Sequence, residues 1–252
     1  MEPVTYPEYL GLDTVLSAQH PRSEEHDEML FIIVHQVYEL WFKQLLHEGR
    51  HLSERLEAGD GPRSLHTLKR MLTILKVAVA QVDVIETMTP RQFTGFRARL
   101  DTASGFQSAQ FRRLEVLLGR RDEGLPRSDP ALANDVGRRP VFDSYLRYLE
   151  VRHWPVPEEV LHRNPAEPYE GAEGVQQLLL TVYEADGEEA QVAERLVDLD
   201  EGLQEWRYRH VKMVERTIGD KPGTGGSSGA GYLRSTLFRP VFPDLWAVRP
   251  KL

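Results

Sequence analysis

The stretch LVDLDEGLQEWRYRHVKMVERT, Leu196 to Thr217, decides the fold. Leu196, Leu199, Leu203, Trp206, His210, Met213 and Thr217 follow one another in steps of three and four, the period of a helix with one buried face. His210 therefore stands where a leucine would continue the seam, one turn after Trp206. A second segment repeats the pattern with Phe31, His35, Tyr38, Phe42 and Leu45, so another histidine faces inward between aromatic residues. An imidazole in an apolar interior needs a partner for its ring nitrogens, and the useful partners are a metal, a substrate or a proton acceptor. The ordinary alternative is a pair of core histidines satisfied by hydrogen bonds.

Outward from these two seams the chain keeps reading as helix. The first ten or so residues, rich in proline and tyrosine, read as an extended arm, with a short helix from Leu12 to Gln19. Ser23 precedes Glu24, Glu25, Asp27 and Glu28, acids that suit the positive end of a helix starting there and running to Ala58, where Gly59, Gly61 and Pro62 stop it. Leu65, Leu68, Leu72, Leu75, Val79 and Val82 form a heptad-like stripe on a helix from Ser64 to Thr87, packed antiparallel on the first. Thr89-Pro90 opens a shorter helix ending near Leu100, and another carries Phe106 to Leu118. From Gly119 to Gly171 the only helix expected is Pro140 to Arg152. Two more helices follow to Ile218, and no segment alternates with a strand period. The expectation is an all-α bundle forming a single domain over residues 1–252, with an N-terminal arm at 1–20 and a glycine-rich loop at 219–231.

Composition narrows the chemistry. The 252 residues carry a formal charge of -8, which disfavours a general nucleic-acid binder. There are no cysteines, so thiolate metal sites, disulfides, cysteine nucleophiles and thioether-linked haem are excluded. The N-terminal stretch lacks the basic and apolar regions of a signal peptide, and no segment has the length of a membrane span. A soluble, cytoplasmic protein without nucleic-acid or membrane partners is expected.

His47-Glu48-Gly49-Arg50-His51 matches the HExxH pattern of zinc peptidases. The inward seam of that helix continues through Gly49 and Leu52, so both histidines of the motif fall on the outward face, and a solvated polar surface is the preferred reading. His35 and His210 lack a carboxylate at metal spacing, and two histidines alone would leave a bare metal undercoordinated. A haem would resolve this, since the porphyrin supplies four nitrogens, one histidine the fifth ligand, and the other histidine can meet a substrate on the open side. Arg97, four residues after Phe93, reads either as a buried guanidinium awaiting a carboxylate or as a surface salt bridge. The loop GDKPGTGGSSGAG, Gly219 to Gly231, fits neither nucleotide-binding glycine pattern; it reads as a linker by composition, or as a lid over a small-molecule site because apolar residues resume after it.

At this point the residues resemble one family, the tryptophan 2,3-dioxygenases. HDEMLFIIVHQVYELWFKQ (His26 to Gln44), FTGFRARLDTASGFQSAQFR (Phe93 to Arg112), WRYRH (Trp206 to His210), GTGGSSGAGYL (Gly223 to Leu233) and YPEYLGLDTVLSAQ (Tyr6 to Gln19) all agree in order. The stretch from about Arg120 to Leu196 agrees poorly. The resemblance implies that His210 is the axial ligand of a haem b iron, with Trp206 bonding to or packing on it, and that Ser104 and Gly105 border the haem pocket. It implies that His35 is the catalytic distal residue accepting the indole N–H, that Phe31 packs on the indole ring, and that Arg97 clamps the substrate carboxylate. Phe93 stands where some bacterial members carry a tyrosine near that carboxylate. Thr224 would bind the amino acid end, and Tyr6 and Tyr9 would complete the pocket of a neighbouring subunit in a homotetramer built as a dimer of dimers.

The implied reaction inserts both atoms of O2 across the indole C2–C3 bond of L-tryptophan, giving N-formyl-L-kynurenine in tryptophan catabolism. Two alternatives share these motifs: a haem monooxygenase converting tryptophan or a β-methyltryptophan to a 2-oxindole, and a haem sensor without turnover.

Overall fold

Periodic apolar seams predict long helices, and long helices dominate the computed structural model, which describes residues 3–121, 130–224 and 230–252. In chain order they are α1 (Tyr6–Leu10), α2 (Leu12–Leu16), α3 (Asp27–Glu57), α4 (Gly61–Ile85), α5 (Pro90–Arg97), α6 (Ala109–Leu118), α7 (Pro130–Val136), α8 (Val141–Val151), α9 (Glu158–Leu161), α10 (Glu173–Ala185), α11 (Glu188–Ile218), α12 (Ala230–Ser235) and α13 (Pro243–Ala247), with 3-10 turns at Gly105–Gln107 and Arg249–Lys251. No strand occurs among the described residues, so the fold is all-α as expected. No described helix is long and apolar enough to cross a membrane.

The frame is a layer of α3, α4 and α11. Three cross-links run in opposite senses along α3 and α4: Tyr38 Oη donates to Ala78 O at 2.9 Å, Gln81 Nε2 to Val34 O at 2.9 Å, and Arg70 Nη1 to Glu48 at 3.0 Å. The two helices are therefore antiparallel, as the short connection at Ala58–Asp60 requires. Helix α11 lies on α4 in the parallel sense, with Gly202 facing Leu75 and Arg209 donating to Asp83 at 2.6 Å further along. Contact on two flanks explains why the buried face of α4 is broader than one stripe: Met71, Ile74 and Ala78 are buried beside Leu68, Leu75 and Val82. Gly49 lets α6 cross close to α3, since a Cβ there would lie 2.5 Å from Leu117 Cδ2.

Several boundaries differ from the sequence reading, each for a local reason. Residues 6–10 are not extended: the Glu8 carboxylate accepts from the backbone N–H and hydroxyl of Thr5 at 3.0 and 2.6 Å, nucleating α1, and Gly11 ends it at φ 61°. Helix α3 starts at Asp27 rather than after Ser23, because Glu28 turns back to accept from Arg22 N, Ser23 N and Ser23 Oγ at 2.9, 2.8 and 2.5 Å. Helix α6 starts at Ala109, since Ser108 caps it through Phe111 N at 3.1 Å, and Gly105–Gln107 form the preceding 3-10 turn. In the segment 119–171, α8 matches its expected span, while α7 and α9 are additions; seven and four residues are too short for a period to announce them.

A buried carboxylate anchors the C-terminal segment to α11. Asp200 Oδ2 accepts from Val241 N, Phe242 N and Trp246 Nε1 at 2.9, 3.1 and 2.9 Å, and Oδ1 from Gln204 Nε2 at 2.9 Å. Asp200→Ala leaves those donors without their acceptor and is expected to lower stability by about 2–4 kcal/mol in equilibrium urea unfolding, whereas Asp200→Asn, which keeps one oxygen, costs less.

Candidate active site

The two histidines predicted to face inward line one cavity. Helix α3 brings Phe31, His35 and Tyr38 to it, α5 brings Phe93 and Arg97, and α11 brings Trp206, His210, Met213 and Thr217. Ser104, just before the 3-10 turn, Gly105 within it, and Gly223 and Thr224 from the glycine-rich loop line the same cavity. The cavity sits where the two seams stop packing against each other: Phe42, Leu45, Leu196, Leu199 and Leu203 are buried, whereas the positions beyond them turn toward the space.

Each imidazole has a defined state. His35 Nδ1 lies 2.7 Å from the carbonyl oxygen of Phe31, one turn earlier, so the proton sits on Nδ1 and Nε2 is left as an acceptor. Burial holds His35 below the ordinary histidine pKa, against the opposing pull of the Phe31 carbonyl and Glu39. The His210 ring stacks on Trp206, centroids 5.2 Å apart and planes 25° apart. Its pKa is pushed down to about 4 by burial and then by His35 nearby, so at neutral pH its ring keeps a free lone pair. It makes no hydrogen bond with another described residue. Trp206 is held by Phe111 at 4.7 Å and edge-on by Phe42 at 5.9 Å, and its indole N–H meets no acceptor at hydrogen-bond geometry among the described residues. Trp206 therefore packs on the histidine in this structure rather than bonding to it.

The opposite end of the cavity carries an aromatic cage and a polar rim. Phe31 lies 4.1 Å from His35 and 5.8 Å from Phe93, so the two phenyl rings give the cavity an apolar slot next to His35, with Phe96 packed behind them at 5.5 Å from Phe31. Arg97 is no surface salt bridge among the described residues; its Nη2 donates to Pro222 O at 2.6 Å, which ties the start of the glycine-rich loop to α5. Thr224 Oγ1 donates to Ala103 O at 2.6 Å, tying the loop a second time. Residues 225–229, the centre of the loop read as a lid, lie outside the described residues.

Tyr6 and Tyr9 are not brought to this cavity. They are 73 % and 81 % exposed on α1, in an apolar surface with Val4, Leu10, Val15 and Leu16. The HExxH motif stays off the site too: His47 and His51 are exposed as expected, and Glu48 is buried because it accepts from Gln44 Nε2 at 2.7 Å and Arg70 Nη1 at 3.0 Å. No group of three or more metal-ligating side chains occurs among the described residues.

One element of the cavity escaped the sequence reading. Glu115 is fully buried and accepts from Arg112 Nη1 at 2.7 Å, Arg120 Nη1 at 2.5 Å and Arg207 Nη2 at 3.0 Å, joining α6 to α11 in the wall of the cavity. The signal was present in FRRLE and WRYRH, where Glu115 and Arg207 take helix positions adjoining the inward seam, but charge on a helix usually marks the solvated face.

Comparison with known proteins adds the family. The chain matches the family described as Tryptophan 2,3-dioxygenase over residues 1–129 and 172–252. It is 64% identical to the tryptophan 2,3-dioxygenase of Anaeromyxobacter sp. (strain K), covering 99% of this chain and 96% of that protein. It is 51% identical to the tryptophan 2,3-dioxygenase of Herpetosiphon aurantiacus, covering 99% and 98%. The protein of the same name from Caulobacter vibrioides is 42% identical, again over 99% and 98%.

Because Glu115 is the shared counter-charge of three guanidinium groups in low dielectric, Glu115→Ala is expected to cost about 3–5 kcal/mol, read as a fall in Tm. Asp198→Ala, which breaks the exposed pair with Arg195, provides the contrast and is expected to cost less than about 1 kcal/mol.

Proposed function

The chain belongs to the tryptophan 2,3-dioxygenase family, and from that premise we propose that it oxidises L-tryptophan with O2 to N-formyl-L-kynurenine, using a haem b held by His210. The observation that carries the reading is the placement of two neutral imidazoles from different helices on one cavity, with an arginine, a threonine and an aromatic slot at its far end.

The residues fit a haem. His210 offers an unprotonated nitrogen with no competing hydrogen bond among the described residues, inside walls that include Phe42, Val82, Ile85 and Phe111. His210 and Trp206 would hold the group from one side, and Ser104 and Gly105 would border it. Haem, when bound, would supply the iron that activates dioxygen, with the porphyrin nitrogens completing the ligand set that His210 begins. What the chain itself does is recognition and positioning. His35 Nε2, left bare by the Nδ1 bond to Phe31 O, accepts the indole N–H and so fixes which edge of the ring faces the reacting centre. Attack on a neutral indole needs no prior loss of that proton, so His35 orients rather than deprotonates. Phe31 and Phe93 hold the ring plane and keep water out.

The amino acid end follows from the polar rim. Arg97 spends one N–H on Pro222 O and keeps further donors for the substrate carboxylate, a charge-assisted contact. Thr224, whose hydroxyl hydrogen is directed at Ala103 O, presents lone pairs, and lone pairs suit a substrate ammonium. In the balanced reaction both oxygen atoms enter the product, the C2–C3 bond breaks, and no external reductant is consumed. The names of the relatives favour this outcome over insertion of a single oxygen into a 2-oxindole. The amino acid clamp argues against a sensor without turnover.

The same reading makes the enzyme a cytoplasmic homotetramer, a dimer of dimers in which Tyr6 and Tyr9 reach a neighbouring subunit's pocket. The exposed apolar surface of α1 and α2 supports it, since Val4, Tyr6, Tyr9, Leu10 and Leu16 would otherwise remain in water.

Three outcomes test the proposal. Under air the reduced, haem-loaded protein is expected to convert L-tryptophan to a product heavier by two oxygen atoms; a product heavier by one assigns monooxygenation instead. His210→Ala is expected to abolish the normal haem absorption spectrum, while His35→Ala keeps the haem and lowers turnover. Arg97→Ala is expected to raise the KM for tryptophan about 10- to 100-fold, with tryptamine, which has no carboxylate, unaffected by the substitution.

A further inference from the structure

The layer of α3 and α4 has two faces. One lines the active-site cavity, through Phe31, His35 and Tyr38 of α3 and Val82 and Ile85 of α4. The other is turned to solvent, and it is apolar. Along α4, Thr73, Val77, Ala80, Val84 and Thr87 are exposed in alternating steps of four and three, the a/d period of a helix–helix seam, and none of them carries a charge. Val77 and Val84 are 44 % and 46 % exposed, on the side of the helix opposite the buried Ala78, Val82 and Ile85. Along α3, Met29, Ile33 and Leu40 are exposed on the side away from His35. The two stripes therefore share one face, too extended to be a scatter of single apolar residues.

The stripes are also matched in register. Gln81 donates to Val34 O and Tyr38 to Ala78 O, which sets Gln36 and Val37 of α3 level with Val79 and Ala80 of α4. Each stripe is centred on that level: Ile33 and Leu40 lie on either side of it on α3, Thr73 and Thr87 with Val77 and Val84 between them on α4. A two-fold axis lying on the face at this level, across the helices, lays α3 on α3 and α4 on α4 of a second copy, both antiparallel. One operation thus covers both stripes, the self-complementarity that a two-fold contact requires. It also matches charge. Exposed Lys76 and Asp83 flank the α4 stripe on one side, one heptad apart, so Lys76 of each copy meets Asp83 of the other. Lys76 makes no ion pair with a described residue, and Asp83, 69 % exposed, gives one oxygen to Arg209 at 2.6 Å and keeps the second.

We propose that this outer face of α3 and α4 is a contact between two copies of the chain, packed antiparallel about a single two-fold axis. The inference rests on the homotetramer reading above and names one of its faces, separate from the Tyr6 and Tyr9 surface of α1. The active-site cavity then lies on the inner side of the same two helices whose outer sides the second copy covers.

Light scattering of the full-length protein over a range of concentrations tests this. The parent chain is expected to be an assembly, and Val77→Asp/Val84→Asp to lower its mass at least twofold, with helicity by circular dichroism unchanged because both sites are exposed. Lys76→Glu sets like charges opposite Asp83 twice and is expected to weaken the association about tenfold, and adding Asp83→Lys to it to recover most of that loss. An unchanged mass in Val77→Asp/Val84→Asp would overturn this contact and leave the tetramer standing. A parent chain that is monomeric throughout would overturn both and leave the face to a different partner. A charge-swapped double variant no tighter than Lys76→Glu alone would overturn the antiparallel pairing.

Discussion

The constraint on which this structure depends is the cost of placing nitrogen bases in an apolar helical interior. An imidazolium could not be buried at the level of His210 without a counter-ion, and none faces it. Desolvation therefore keeps both histidines neutral, and neutrality is what makes one a lone-pair donor and the other a hydrogen-bond acceptor. The difference between them is a single local contact: His35 Nδ1 is engaged by Phe31 O, whereas the His210 ring has only the face of Trp206. Two residues of one type thus receive different chemistry from their immediate surroundings.

Charge is present in the walls of the site, and most of it is paired there. Glu115 gathers Arg112, Arg120 and Arg207 in one wall of the cavity, while Arg97 is drawn to Pro222 by its carbonyl. The first arrangement ties α6 to α11 and so holds the Phe111 and Trp206 rings together. The second ties a loop to α5 through the same side chain proposed to receive the substrate. Loop placement and the proposed substrate recognition then share one guanidinium group, which would connect binding at the rim directly to the start of the glycine-rich loop.

The fold was largely legible because its long helices carry their period openly. The seams of α3, α4 and α11 could be read residue by residue, and their alternation with short glycine- and proline-rich connections excludes sheet architectures. Short elements were not legible. Helix α1 depends on the Thr5–Glu8 contact, α7 and α9 span too few residues for a repeat, and Glu28 shortens α3 by folding back on Ser23. In the site, His35, His210, Phe31 and Arg97 stood out by position or by resemblance. Glu115 did not, because a carboxylate beside three arginines looks like surface until the neighbouring helix closes over it.

The amino-acid sequence by itself determined the all-helical class, the inward register of two histidines and, through its motifs, the family, since periodicity and motif order are properties of the chain alone. Tertiary packing decided the rest. That His35 and His210 face the same space, that Arg97 reaches Pro222 and Thr224 reaches Ala103 across more than a hundred residues, and that Tyr6 and Tyr9 stay outside the cavity depend on how α3, α5 and α11 meet. Distance along the chain carries no information about such contacts. Only burial of the helix faces against one another brings the side chains together, and that same burial sets their protonation.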